Sequence, residues 1–358
     1  MDGLKDLSEI EQLKILKSIR LGCSNEAEFE AYVKNHLGEE GVEEVIRRID
    51  GLLFEDEFLL LCKLMKSCIA INGLDQSFAI DNGFKVPDYL VAFNLSNTIY
   101  DLDPKPAKIS AFVEVKTTKG STNKIGSGFL NKYSKYAELY DLPLILASRL
   151  KINERRHCWV LQTEEQLKKS KNTSTPKSLG NNSVGHLLLN DYLITPTVDI
   201  FLDLEFTKIP TTTEFYSNLY GYLKSITMTF DGSRIVLAEE MLPFGLFLEC
   251  FPQEIIFEKK HGAGFSVRRW IQRADRLLSE MVLRANYFML DLNGDYYSSA
   301  SRLLALLEND MATEINREFF DSAISYFNSA YPLFEIIRLG NEENNQKLMN
   351  ALLGTEAF

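Results

Sequence analysis

The run Phe112-Val113-Glu114-Val115-Lys116 sets a carboxylate two residues before an ammonium in a β-type stretch. Strand alternation sends Val113 and Val115 to one face, which packs, and Glu114 and Lys116 to the other. Upstream, Val86-Pro87-Asp88 opens a second strand-type run, DYLVAF at 88 to 93, with the proline fixing the chain just before the acid. If these runs pair, Asp88 and Glu114 converge at neighbouring positions. Two carboxylates in an otherwise apolar sheet repel each other, so the arrangement needs a cation between them or a proton on one. Mg²⁺ is the ion best suited to two carboxylates, a backbone carbonyl and several waters.

The surrounding sequence supplies elements to position these groups. Phe54, Phe58, Leu61, Leu64 and Met65 mark one face of a helix that opens after Gly51 and is expected to end before Asn72-Gly73. Three β-type runs follow, SFAI at 77 to 80, DYLVAF, and SAFVEVKTT at 110 to 118, and they read as a meander with a long polar connection at 94 to 109. Gly126-Ser127-Gly128 then leads into FLNKYSKYAELY, whose Phe129, Tyr133, Tyr136 or Ala137, and Tyr140 have helical spacing. LPLILAS at 142 to 148 has the continuous apolar character of a strand buried on both faces, and HCWVL at 157 to 161 is a further strand.

Pro87-Asp88 and Glu114-Val115-Lys116, on consecutive β-type runs after an acidic helix, resemble the motif of the PD-(D/E)xK nucleases, the fold of many restriction endonucleases and archaeal-type Holliday junction resolvases. The resemblance covers about residues 51 to 162. It implies an α/β, restriction-endonuclease-like core in which a helix precedes a β-meander and a second helix returns to the sheet. By the same resemblance Asp88 and Glu114 ligate Mg²⁺, for which Mn²⁺ substitutes, the Val115 carbonyl adds a ligand, and Lys116 orients or deprotonates the attacking water. Many family members add a glutamate from the first helix. Glu57 is taken for that role, with Glu55 its competitor. Lys132, Lys135 and Tyr136 fall where the family often places a Lys, Gln or Tyr near the phosphate.

Charge along the chain fits a polyanion that binds at one place. Residues 116 to 178 carry 13 Lys and Arg against 5 Asp and Glu, whereas residues 1 to 115 carry 12 against 21 and residues 179 to 358 carry 14 against 24. Lys119, Lys124, Lys132, Arg155 and Arg156 are the residues expected to meet phosphates. The glycines of GSTNKIGSG at 120 to 128 lack GK[ST], which argues against a nucleotide-triphosphate loop and leaves them a role in holding a backbone phosphate.

Other schemes lack their parts. The four histidines, at 36, 157, 186 and 261, form no HxxxH, and GxSxG is missing. The five cysteines, at 23, 62, 68, 158 and 250, form no CxxC and read as reduced thiols. With 358 residues, 45% of them apolar and 25% charged, the chain can bury a large core in two or three domains, which excludes disorder and disulfide miniproteins. No membrane span or signal peptide is evident, so a cytoplasmic protein is expected.

The expected domains are a helical accessory region at 1 to 50, the nuclease-like domain at 51 to 183, and an α+β to helical module at 184 to 358 for recognition, regulation or assembly. In that last module one helix is read near Glu214 to Leu223, and residues 266 to 290 read as a single helix with an apolar stripe and Arg269, Arg273 and Arg276 on another face. The function this implies is a Mg²⁺-dependent DNA endonuclease, set by resemblance in bacterial or phage defence and controlled by a partner protein or a second copy bound through the C-terminal half. The alternatives are a noncatalytic nucleic-acid- or protein-binding module on the same fold and a nuclease directed at RNA.

Overall fold

The computed structural model describes residues 9–23, 25–37, 42–75, 83–103, 105–154, 156–211, 216–292, 299–329 and 331–354. The protein is mixed α and β, with several sheets and eleven α-helices among the described residues. It divides into two compact units. The first comprises residues 1–191, 296–314 and 338–358, and the second comprises 192–295 and 315–337. The boundary therefore lies at Asp191 rather than 183, and two segments of the expected C-terminal module return to the first unit.

In the first unit, helices α1 (Glu9–Gly22), α2 (Glu26–Leu37) and α3 (Val42–Leu64) precede strands β1 (Cys68–Gly73), β2 (Tyr89–Asn94) and β3 (Lys108–Thr117). Next come β4 (Asn123–Lys124), α4 (Ser127–Glu138), β5 (Leu144–Asn153), β6 (Arg156–Thr163), α5 (Glu164–Lys169), β7 (Thr173–Ser174) and α6 (Gly185–Leu188). The three N-terminal helices share a core of Leu13, Leu16, Phe29, Val33, Ile49 and Leu52. The main sheet has the order β1-β2-β3-β5-β6. β3 and β5 are parallel, joined across α4, and every other neighbouring pair is antiparallel.

The helix expected from Gly51 to just before Asn72 instead begins at Val42, runs through Gly51 and stops at Leu64. Lys66 takes a left-handed backbone, φ 53°, which breaks the helical path, and Cys68–Gly73 becomes the edge strand beside β2. The expected strand at 77 to 80 lies outside the described residues. The long connection from β2 to β3 is anchored by Asn190, whose Oδ1 accepts the Ile99 N–H at 2.9 Å, and by the Tyr100 hydroxyl, which donates to the Asp191 carbonyl at 2.5 Å.

The two faces of the sheet have different covers. Pairing places Val113, Arg149, Trp159 and Tyr89 on one face, where Phe58 of α3 packs 5.4 Å from the Trp159 ring and 6.2 Å from the Tyr89 ring. Phe112, Glu114, Lys116, Leu146 and Ser148 point to the other face, where Leu130, Tyr133 and Ala137 of α4 join Phe112 and Leu146 in a second core.

The second unit holds β8 (Leu193–Pro196), β9 (Ile200–Thr207), β10 (Tyr216–Ser217), β11 (Gly221–Phe230), β12 (Ser233–Val236) and α7 (Gly245–Glu249). After these come β13 (Gln253–His261), β14 (Gly264–Ile271), β15 (Arg276–Leu277) and α8 (Leu278–Leu292). α9 (Ala300–Glu308) belongs to the first unit, α10 (Arg317–Asn328) and β16 (Phe334–Ile337) to the second, and α11 (Glu342–Leu353) again to the first. One sheet runs β10-β11-β9-β14-β13 with β12 on β11, and a smaller one runs β15-β8-β16. Phe247, Phe251, Phe320, Phe327 and Phe334 fill the aromatic core of this unit.

Two helical expectations fail here. Residues 216–217 and 221–230 are strands, and the single helix expected over 266 to 290 is β14 followed by α8. The hairpin of β14 with β13 and its non-local pairing with β9 override the apparent 3.6 period. The three arginines of the expected face are instead in ion pairs, Arg269 with Glu249 at 2.8 Å, Arg273 with Asp199 at 3.3 Å and Arg276 with Glu280 at 3.1 Å.

Candidate active site

β2 begins at Tyr89, paired with Val113, so Asp88 stands one step beyond the end of the ladder, beside Glu114. Its carboxylate turns back to the neighbouring strand, where Oδ2 accepts the Val115 N–H at 2.6 Å. The N–H and C=O of one strand residue leave on the same side. The Val115 carbonyl therefore also opens toward Asp88, beyond Tyr89, the first residue of β2.

Glu114 is 1% exposed, and its Oε2 is buried without a hydrogen-bond partner. Its other oxygen accepts from the Lys116 ammonium. Burial, and then the charge of Asp88, raise the Glu114 carboxyl to about 7 against the opposing pull of Lys116. Burial alone would lower the Lys116 ammonium, but Glu114, Asp88 and Glu55 outweigh it and hold the group cationic.

The helical glutamate in this field is Glu55. Burial, then Asp88 and Glu114, raise its carboxyl to about 8. Glu57 is bound elsewhere: it accepts from Arg149 Nε at 2.6 Å and from Trp159 Nε1 at 3.3 Å. Both partners project from the α3 face of the sheet, opposite the face of Glu114 and Lys116. Of the two candidates, Glu57 is thus engaged by Arg149 and Trp159 on the α3 face, and Glu55 is the one whose charge couples to Asp88 and Glu114. The sequence held a signal for this, since Glu57 falls on the stripe of Phe54, Phe58 and Leu61 that must face the sheet.

α4 contributes Tyr133 rather than Tyr136. The Tyr133 ring lies 5.8 Å from Lys116 Nζ and 5.8 Å from Lys85 Nζ, and burial followed by the charge of Glu114 raises its phenol. Tyr136 packs on Phe112 and Tyr140, at 5.3 and 5.2 Å between ring centroids. Lys85 joins the site with no motif in the sequence to announce it. It is brought in by its backbone N–H, which donates to the Lys132 carbonyl at 3.2 Å, and its ammonium lies 4.7 Å from the Phe129 ring centroid.

A buried polar chain flanks the same face. Asn123 donates to Ser148 Oγ at 3.0 Å, Ser148 to Ser174 Oγ at 3.2 Å, and Ser174 to Gln162 Oε1 at 2.6 Å. It ties β4 and β7 to the strands beside Lys116. The loop after β3 is held to β5 by the Lys151 N–H, which donates to the Gly120 carbonyl at 3.0 Å.

Lys119 and Lys124 are exposed on this connection, Lys135 is exposed on α4, and Lys132 is half-buried. Arg156 opens β6 in the hairpin that extends past the C-terminal end of β3, and Arg155 lies outside the described residues. The GSTNKIGSG glycines include Gly126, which caps α4 without a side-chain hydrogen bond.

No family model, curated protein or solved structure matches the chain. Among the described residues, no three His, Cys, Asp or Glu side chains gather closely enough to hold a metal ion on side chains alone. Asp88, Glu114 with its unpartnered oxygen, and the Val115 carbonyl still form the kind of donor set that a hard divalent ion completes with water.

Proposed function

We propose that the Asp88–Glu114–Lys116 cluster is the active site of a Mg²⁺-dependent DNA endonuclease on a PD-(D/E)xK-type, restriction-endonuclease-like core. The observation that carries this reading is the meeting of Asp88, Glu114 and Lys116 at one open strand end, with a buried Glu114 oxygen left without a donor. Asp88, Glu114 and the Val115 carbonyl would hold Mg²⁺ or Mn²⁺. When bound, the ion supplies charge stabilisation at the phosphate and a more acidic water. Lys116, held cationic by its carboxylate neighbours, offsets charge on the phosphate and orients the attacking water. Glu55 stands where it can hold a proton near neutral pH.

Basic residues 119 to 156 would track the backbone on either side of the scissile bond, while the acidic remainder weakens nonspecific attraction to DNA. That balance suits an enzyme restrained or delivered by a partner, as in bacterial or phage defence.

A noncatalytic binding module on the same fold is the second reading. It is favoured by the direct Lys116–Glu114 ion pair and by the missing third side-chain ligand among the described residues. Digestion of plasmid DNA, oligonucleotides and RNA with Mg²⁺, Mn²⁺ or EDTA, by the wild type and Glu114→Gln, separates the two. Metal-dependent cleavage lost in the variant supports the enzyme. Binding without cleavage under all conditions supports the module, and cleavage of RNA alone redirects the substrate.

A further inference from the structure

The second unit contains a cavity of about 410 Å³, within the size range of small-molecule sites. Its floor is one face of the larger sheet. Leu202, Leu204 and Phe206 alternate inward along β9, and Arg269 of β14 pairs with Leu202 on the same face. Leu246 of α7 and Phe288 of α8 complete the apolar wall. Arg269 and Glu249 are the charged groups in that wall among the described residues.

Arg269 is only partly used. Its Nη1 donates to Glu249 Oε1 at 2.8 Å and to Gln253 Oε1 at 3.2 Å, while its Nε is buried without a partner. A guanidinium can offer two parallel N–H donors to a carboxylate, and a buried donor left unpaired is costly. Glu249 Oε1 accepts one N–H of Arg269, and burial raises its carboxyl against the pull of Arg269 and Arg284.

We propose that this cavity binds a small monocarboxylic acid with an apolar body, its carboxylate on the unpartnered Nε edge of Arg269 and its body against Leu204, Phe206 and Phe288. The site is independent of the Asp88–Glu114 cluster and of the activity proposed for it.

The test uses the full chain, decanoate and 1-decanol, with binding followed by titration calorimetry. Decanoate should bind saturably and about tenfold or more tighter than 1-decanol, since the alcohol lacks the charge-assisted pair. Arg269→Gln should remove that preference. Because this variant disturbs the Glu249 pair, Leu204→Trp provides a second check: it fills the cavity and should abolish binding of both probes while circular dichroism stays native. Failure of decanoate to bind the wild type, equal affinity for the two probes, or decanoate binding unaffected by Leu204→Trp would overturn the proposal.

Discussion

The Asp88 carboxylate is held by the Val115 backbone, Oδ2 accepting the N–H at 2.6 Å, so the acid before β2 is locked to the residue between Glu114 and Lys116. This bond fixes the spacing of the two carboxylates without consuming the second oxygen of Glu114.

Asp88→Asn and Glu114→Gln should each abolish cleavage, a loss of at least about a hundredfold, by removing a charged ligand. The folded protein should survive both changes. Without divalent ions at pH 8, Glu114→Gln should gain on the order of 1–3 kcal/mol in urea unfolding, because it removes a buried, repelled charge. Wild-type cleavage rates in both variants would refute the site.

The raised carboxyls set a pH dependence. Glu114 titrates at about 7 and Glu55 at about 8 in the folded protein, against 4.5 for an ordinary glutamate. Between those values the folded state holds more protons than the unfolded one, so stability falls as pH rises from about 5 to about 8. Mg²⁺ should offset the loss at the alkaline end. Denaturation at pH 5 and pH 8, with and without Mg²⁺, measures this, and a profile flat in pH contradicts the assignment.

Glu55 and Glu57 should separate stability from activity. Glu57→Ala leaves Arg149 buried without its partner and should cost about 3–5 kcal/mol. Glu55→Gln should leave stability unchanged or improved while slowing cleavage. Thermal melts and single-turnover rates on the two variants distinguish these outcomes.

Lys116→Ala should lose most cleavage yet retain Mg²⁺ binding by calorimetry, since the ammonium acts on phosphate and water rather than on the ion. Weaker metal affinity in this variant would assign the lysine a structural role.

Replacing Lys119, Lys124, Lys132 and Arg156 with alanine should flatten the salt dependence of DNA binding by about 0.7–0.9 in log-log slope for each phosphate that is no longer neutralised. An unaltered slope would make them solvated surface.

Local pattern carries much of the first unit. The alternation of DYLVAF and FVEVK, the apolar run PLILAS and the stripe of α4 each correspond to an observed element, because each buries a face that its own sequence defines. Cys68–Gly73 escapes such a reading because its apolar residues continue the helical stripe without Gly or Pro, and the break is a left-handed Lys66. β14 escapes it because its pairing with β9 is decided some 60 residues away in sequence. In the site, Asp88, Glu114 and Lys116 are visible as neighbours in a motif. The Ser148–Ser174–Gln162 chain is not, since those side chains meet only once β6 and β7 have returned to β5.

Asp56, next to Glu55 on α3, ion-pairs with Lys17 at 2.6 Å and accepts a hydrogen bond from Ser301 of α9, 245 residues further along the chain. Since α3 packs on α9, the helix that presents Glu55 acquires its full support only after that distant segment has been synthesised. At ribosomal rates of about 5–20 residues per second, the interval is on the order of tens of seconds. During it, the face of α3 that α9 later covers lacks that cover, so the complete support of the helix carrying Glu55 waits until α9 has emerged.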